Sequence, residues 1–293
     1  MKPSRFTYHR PRTVAEAVQQ LAVLGADGKV LAGGQSLVPL MSMRLSAPEH
    51  LVDINGIAEL DTVEVTRDHV RVGAGARQAR VERDSAVCAA APLLGQALSL
   101  VAHPAIRNRG TVVGSLVHAD PASELPAVLL LLGGAVELRS ADGDREVGAE
   151  DFFLGPMSSQ VESGELAVAA RFPRPPAGSG TAFVEVSRRH GDFALCGVAA
   201  LVVADADGAP TSARAALVGV APAAVLVDLT PAVVGSGGDL DPQVRDDLVD
   251  AAIDPEGDIH ATAGYRRQLA RVLTARAVAA AADRTSTRGE GAS

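Results

Sequence analysis

Three stretches of this chain carry residue types and spacings suited to holding a phosphate-bearing ligand. Ala32-Gly33-Gly34-Gln35-Ser36 follows a short apolar run. Its glycines lack a Cβ, so backbone amides can approach an anion, and Ser36 at a helix start adds a hydroxyl and the helix dipole. Thr111-Val112-Val113-Gly114-Ser115 offers a second set of amides and hydroxyls. It lies in a polar run, His103 to Pro126, that reads as a loop between core segments up to a helix begun at Pro121. Asp120 and Glu124 stand four apart around the next helix start, where a carboxylate either caps the helix or accepts from sugar hydroxyls. Arg188-Arg189-His190-Gly191-Asp192-Phe193-Ala194 presents Phe193, one of few rings in a chain with 3% aromatics and no Trp. Taken singly, each motif also reads as plain structure: a tight turn, a helix cap, a core phenylalanine. None has the GxGxxG or GK[ST] spacing of the common nucleotide loops.

Other chemistries find little support. No Ser/His/Asp or Cys/His set suggests a covalent nucleophile. His103 and His118 have no partner at ligand spacing, so no metal centre is expected. Cys88 and Cys196 stand alone, too few for structural zinc or an iron–sulfur cluster, and are expected as buried, reduced thiols. Against 35 acidic side chains there are 27 basic ones, a net charge of −8 that disfavours nucleic acid and anionic membranes. Any phosphate must therefore be held mainly by backbone N–H groups and hydroxyls, not by a lysine cluster. Arg107 and Arg109 are expected in solvent or against a partner.

The elements that must position these motifs follow from periodicity. Short strands at Phe6–Tyr8, Lys29–Leu31 and Leu51–Ile54 alternate with helices begun by Thr13 and running from Leu37 to Leu45. A hairpin spans Val63 to Val72, helices cover Arg80–Ala91, Leu93–Val101 and Pro121–Leu132, and strands follow at Ala135–Arg139 and Glu165–Phe172. Pro173 to Gly180 reads as a linker to a separate lobe. Three strands there, at Phe183–Val186, Val198–Ala204 and Ala213–Val220, are covered by helices at about Pro242–Ala252 and Ile259–Ala282. The expected division is 1–55, 56–173 and 181–283, with a disordered tail at 284–293. The start of the chain lacks a signal-like apolar stretch, and no run is long enough to span a membrane, which points to the cytoplasm.

AGGQS at Ala32–Ser36, HPAIRNRGT running into GSL and HADPASELP from His103, and RRHGDFA at Arg188–Ala194 occur in register with one family. Over nearly its whole length the chain resembles the FAD-binding medium subunit of molybdenum hydroxylases, the carbon monoxide dehydrogenase and xanthine dehydrogenase family. The resemblance implies an α+β fold: two FAD-binding subdomains of the vanillyl-alcohol-oxidase (PCMH) type, then a C-terminal domain with a small sheet covered by helices. It implies noncovalent FAD, with Ala32, Gly33, Gly34, Gln35 and Ser36 and Thr111, Val112, Val113, Gly114 and Ser115 on the diphosphate. Asp120 and Glu124 would meet sugar-side hydroxyls, Phe193 the isoalloxazine, and the strand near Leu166 and Ala167 would pass close to the ring.

The molybdenum cofactor and two [2Fe–2S] clusters would belong to a large and a small partner subunit, in a dimer of heterotrimers. Electrons would pass through this chain to an external acceptor such as a quinone or NAD. One residue departs from the family pattern: Val113 stands where a second glycine is usual. If that position needs positive φ, a β-branched residue costs on the order of 1–3 kcal/mol. The departure leaves room for an assembly subunit without FAD, and the same fold would also serve a stand-alone flavin oxidase.

Overall fold

The computed structural model describes residues 2–234 and 239–286. The first lobe is a parallel three-stranded sheet of β1 (Thr7–His9), β2 (Gly28–Leu31) and β3 (His50–Asp53), ordered β1-β3-β2. Thr13 caps α1 (Val14–Leu24) through its hydroxyl, which accepts from the Glu16 N–H at 3.1 Å. Val14, Ala17, Val18 and Leu21 form the buried stripe of that helix. The helix after Ser36 is shorter than its pattern predicts: α2 covers Leu37–Ser42, and Arg44 turns out at φ 61°. The β2 edge strand is only half-buried.

The second lobe is a five-stranded antiparallel sheet, order β4-β5-β10-β6-β7. Its strands are β4 (Val63–Val65), β5 (His69–Gly73), β6 (Ala135–Ser140), β7 (Gly143–Gly148) and β10 (Leu166–Pro173). The small β8 (Phe153–Gly155) and β9 (Ser158–Ser159) make a side ribbon behind α9 (Ala149–Phe152). Six helices fill the crossover from β5 to β6: α3 (Gln78–Arg83), α4 (Ser85–Ala90), α5 (Pro92–Leu98), α6 (Pro104–Arg107), α7 (Val112–His118) and α8 (Glu124–Leu131). The single helix expected over Arg80–Ala91 breaks at Asp84, whose carboxylate accepts from the N–H groups of Ala86 and Val87 and so starts α4. The expected long loop from His103 is not a loop. It holds α6 and α7, and helix α8 starts at Glu124, because Asp120 engages the Ala122 N–H at 2.9 Å in a turn that keeps Pro121 outside.

The third sheet, order β11-β12-β13-β14, comprises β11 (Ser179–Ser187), β12 (Ala194–Ala204), β13 (Pro210–Val218) and β14 (Val225–Asp228). The two-residue strands β15 (Val233–Val234) and β16 (Asp239–Leu240) pair beside it. Two helices, α10 (Pro242–Ala252) and α11 (Ala263–Ser286), follow. On one face Ala182, Val198, Ala200, Ala215 and Leu217 pack under these helices. The opposite face is not free, as a separate lobe would have it. Phe183, Ala199, Leu201, Ala216 and Val218 belong to the same core as Leu93, Leu125 and Leu129 of the preceding helices. Helix α11 runs past the expected tail boundary: Arg284 donates to the Thr181 carbonyl at 2.6 Å and Thr285 is buried, which holds Arg284–Ser286 in the helix. Residues 287–293 of the expected tail lie outside the described residues.

Candidate functional site

The two small-residue turns come from different lobes and meet. A Cβ on Gly33 would collide with the Arg109 carbonyl oxygen and lie 2.8 Å from the Gly110 Cα, so only glycine permits this approach. A Cβ on Gly114 would lie 3.7 Å from the Ala32 Cβ. Gly34 takes φ +75°, which completes the turn into α2. Among the described residues, the N–H groups of Gly34, Gln35, Ser36 and Leu37 meet no acceptor in the chain, and neither does that of Val113 at the start of α7, whereas the Val112 N–H lies in the antiparallel bridge between Arg77 and Thr111. Unpaired first-turn amides of this kind are donors awaiting an acceptor, and the local dipole favours an anionic one.

A cleft of about 390 Å³ opens beside the first turn, lined by Leu31, Val38, Pro39, Asp53, Asn55 and Arg109 together with Ala32, Gly33, Gly34 and Gln35. Ser36 is exposed and does not line it. Thr111, Val112 and Val113 are buried behind the junction. The Thr111 hydroxyl caps α7 by accepting from the Gly114 N–H at 3.1 Å. Val113 is 2% exposed and sits in the first helical turn with ordinary right-handed backbone, so the strain its side chain raised in sequence is not incurred.

Ser115 extends the second turn toward α8, its Oγ lying 3.2 Å from the Ser123 Oγ. Next in line is Glu124, buried at 6% exposure. Burial, reinforced by the charges of Glu185 and Asp120, pushes its carboxyl up to about 8. Burial likewise raises Glu185 on β11 to about 7, and its Oε2 has no hydrogen-bond partner. Glu124 is therefore largely protonated at neutral pH and can donate as well as accept, a property its sequence position did not announce. Asp120 is half-buried and occupied with the Ala122 N–H. Leu166 and Ala167 are buried within β10.

Phe193 ends a loop that leans on the second lobe, with Gly191 against the His103 ring and His190 in an edge contact with it at 6.1 Å. The phenyl ring itself is 68% exposed, so the reading of Phe193 as ordinary core fails. One of the two arginines also departs from expectation. Arg109 is exposed on the cleft wall, but Arg107 is buried: it pairs with both oxygens of Glu82, at 2.8 and 3.0 Å, and donates to the carbonyls of Val101 and Ala102. It is a structural cation that ties α6 to α3. Of the two free cysteines, Cys196 is buried and raised to about 12 by burial, while Cys88 is only half-buried. No group of three metal-ligating side chains occurs among the described residues, and no described helix is long and apolar enough to cross a membrane.

Fold and family model together define a FAD-binding protein of the molybdopterin dehydrogenase class: residues 4–175 match the FAD binding domain in molybdopterin dehydrogenase, and 181–281 the CO dehydrogenase flavoprotein C-terminal domain. The caffeine dehydrogenase subunit beta of Pseudomonas sp. (strain CBB1) is 40% identical over 97% of each chain. The carbon monoxide dehydrogenase medium chain of Afipia carboxidovorans is 37% identical over 95% of this chain and 97% of that one. Carbon monoxide dehydrogenase from Hydrogenophaga pseudoflava, solved without the Mo-pyranopterin moiety of its cofactor, superposes with a TM-score of 0.91. The identity there is 36%, over 97% of this chain and 99% of that one. This chain belongs to the FAD-binding medium subunits of molybdenum hydroxylases, and is an oxidoreductase subunit.

Proposed function

We propose that the chain carries one noncovalent FAD whose diphosphate rests on the two converging turns. It takes electrons from the [2Fe–2S] clusters of a small partner subunit and passes them to an external acceptor, a quinone or NAD. A large partner holds the molybdenum cofactor and oxidises the substrate, and two such heterotrimers pair. The cysteine count fits this division, since two isolated thiols cannot hold a cluster. The observation that carries the reading is the meeting of Gly33 with the Arg109–Gly110 backbone. It brings the unpaired amides of Gly34–Leu37 close to the start of α7, where the Val113 amide is unpaired.

FAD, when bound, supplies two-electron and one-electron redox chemistry that no side chain here offers. This chain's residues hold it. Ala32–Ser36 and Thr111–Ser115 present amides and hydroxyls to the diphosphate in a site without lysine. Glu124, protonated, donates to or accepts from a sugar-side hydroxyl, with Asp120 beside it. Phe193, which is largely exposed, packs on the isoalloxazine and keeps water from one face. Every relative named above is a dehydrogenase subunit, which favours the redox role over a scaffold without flavin and over a stand-alone oxidase. The test is the absorbance spectrum of the purified chain and of its complex. A stoichiometric flavin band, reduced on adding the holoenzyme's substrate, is expected; an assembled complex without flavin would refute the reading.

A further inference from the structure

We propose that Arg77 and Asn55 form a clamp that sets the spacing between the two turns, making Arg77 a positioning residue for FAD. The inference rests on the reading of those turns as the diphosphate site. Asn55 belongs to the first lobe, just beyond β3. Its Nδ2 donates to the Ala32 carbonyl at 2.8 Å and the Leu31 carbonyl at 3.4 Å, and its Oδ1 accepts from Arg77 Nη2 at 2.5 Å. Arg77 belongs to the second lobe. Its backbone forms an antiparallel bridge with Thr111, and the neighbouring Gln78 N–H donates to the Gly110 carbonyl at 2.9 Å. The other arm of its guanidinium, Nη1, donates to the Arg109 carbonyl at 2.5 Å. One cation thus joins a carbonyl just ahead of the second turn to the amide that grips a carbonyl of the first.

The orientation of the Asn55 amide is dictated from behind. Asp53 Oδ1 accepts from the Asn55 N–H at 2.9 Å and from its Nδ2 at 2.5 Å, while the Tyr8 hydroxyl donates to Asp53 Oδ2. With the nitrogen claimed by Asp53 and Ala32, the amide oxygen must face Arg77. The chemistry of the clamp follows from what a diphosphate repels. The Ala32 and Arg109 carbonyls carry partial negative charge, and donors from Asn55 and Arg77 occupy both, so the junction is left offering N–H groups. A guanidinium suits this task because its rigid planar fork fixes the separation of the two acceptors it serves, which the freely rotating donors of an ammonium do not.

The test is FAD titration of the full-length apo chain, followed by flavin fluorescence, for the wild type, Arg77→Ala, Asn55→Ala, the double variant and Arg77→Lys. Thermal melts of each apo form are run in parallel. Each alanine variant is expected to bind FAD about 10- to 100-fold more weakly, the range for losing a supporting residue behind a ligand. The double variant should be within about threefold of the weaker single one, because the two residues act as one unit. Arg77→Lys should fall between wild type and Arg77→Ala. Binding within about threefold of wild type in both single variants, losses that simply multiply, or losses that track the fall in apo melting temperature would overturn the clamp. A wild-type chain that takes up no FAD would instead overturn the cofactor reading beneath it.

Discussion

The two turns proposed to share one diphosphate are built by different means. The first, Ala32–Ser36, depends on glycine twice: Gly33 because a Cβ would strike the Arg109 carbonyl, Gly34 because its φ is +75°. The second, Thr111–Ser115, is the capped start of a helix with ordinary backbone and two buried valines, so its donors need no glycine in the middle. Sequence motifs written with glycine therefore mean different things in the two places. In the first turn the small residue is a steric and conformational necessity; at Val113 it is dispensable.

The supports behind the turns sharpen this contrast. On the second-turn side, Arg107→Ala leaves Glu82 without its partner and two carbonyls without a donor, and should destabilise the chain by about 3–5 kcal/mol in a denaturant melt. The same replacement at the exposed Arg109 should cost little. Equal losses at both would break the assignment of Arg107 as structural.

Glu124 supplies a pH-dependent counterpart. Its folded-state value of about 8 lies above its ordinary 4.5, so the folded apo chain holds the proton more tightly than the unfolded one. Its influence on stability is nil below the unfolded value, and stability is lost as pH rises from there through about 8. Glu124→Gln should melt with the wild type near pH 4 and lie above it by on the order of 3–5 kcal/mol near pH 9. A gap that does not change with pH would show that the carboxyl is not held neutral.

Val113→Gly tests the contrast between the turns directly. It should destabilise the chain by about 2–3 kcal/mol, through lost burial and helix entropy, without improving FAD affinity. A gain in affinity would restore the strain account. Gly33→Ala is expected to cost a little less in stability, about 1–3 kcal/mol, because the Arg109 turn must retreat. Unlike Val113→Gly, it should weaken FAD binding in the same titration; unchanged affinity would mean that the approach of the turns is incidental.

Much of this arrangement was legible in the residues themselves. The strand-to-turn-to-helix passage at Leu31–Leu37, the hairpin at Val63–Val72 and the linker near Pro176 all follow from hydrophobic period and turn chemistry. Strand β7 was not legible, since Gly143–Gly148 is an exposed edge strand of charged residues without apolar alternation. Helices α6 and α7 hid behind proline, glycine and β-branched residues that read as loop. In the site, Asn55 left a weak trace in the Asp53-Ile54-Asn55-Gly56 turn, but Arg77 left none. Its role comes from long-range packing that brings Arg109, distant in the chain, under its guanidinium.

The convergence of the two turns on a single diphosphate is open to amide hydrogen exchange on the full-length chain, with and without FAD. Slowed exchange is predicted at Gly34–Leu37 and at Val113 together, with the same dependence on FAD concentration. Protection confined to one turn, or absent from both while FAD is bound, would contradict it.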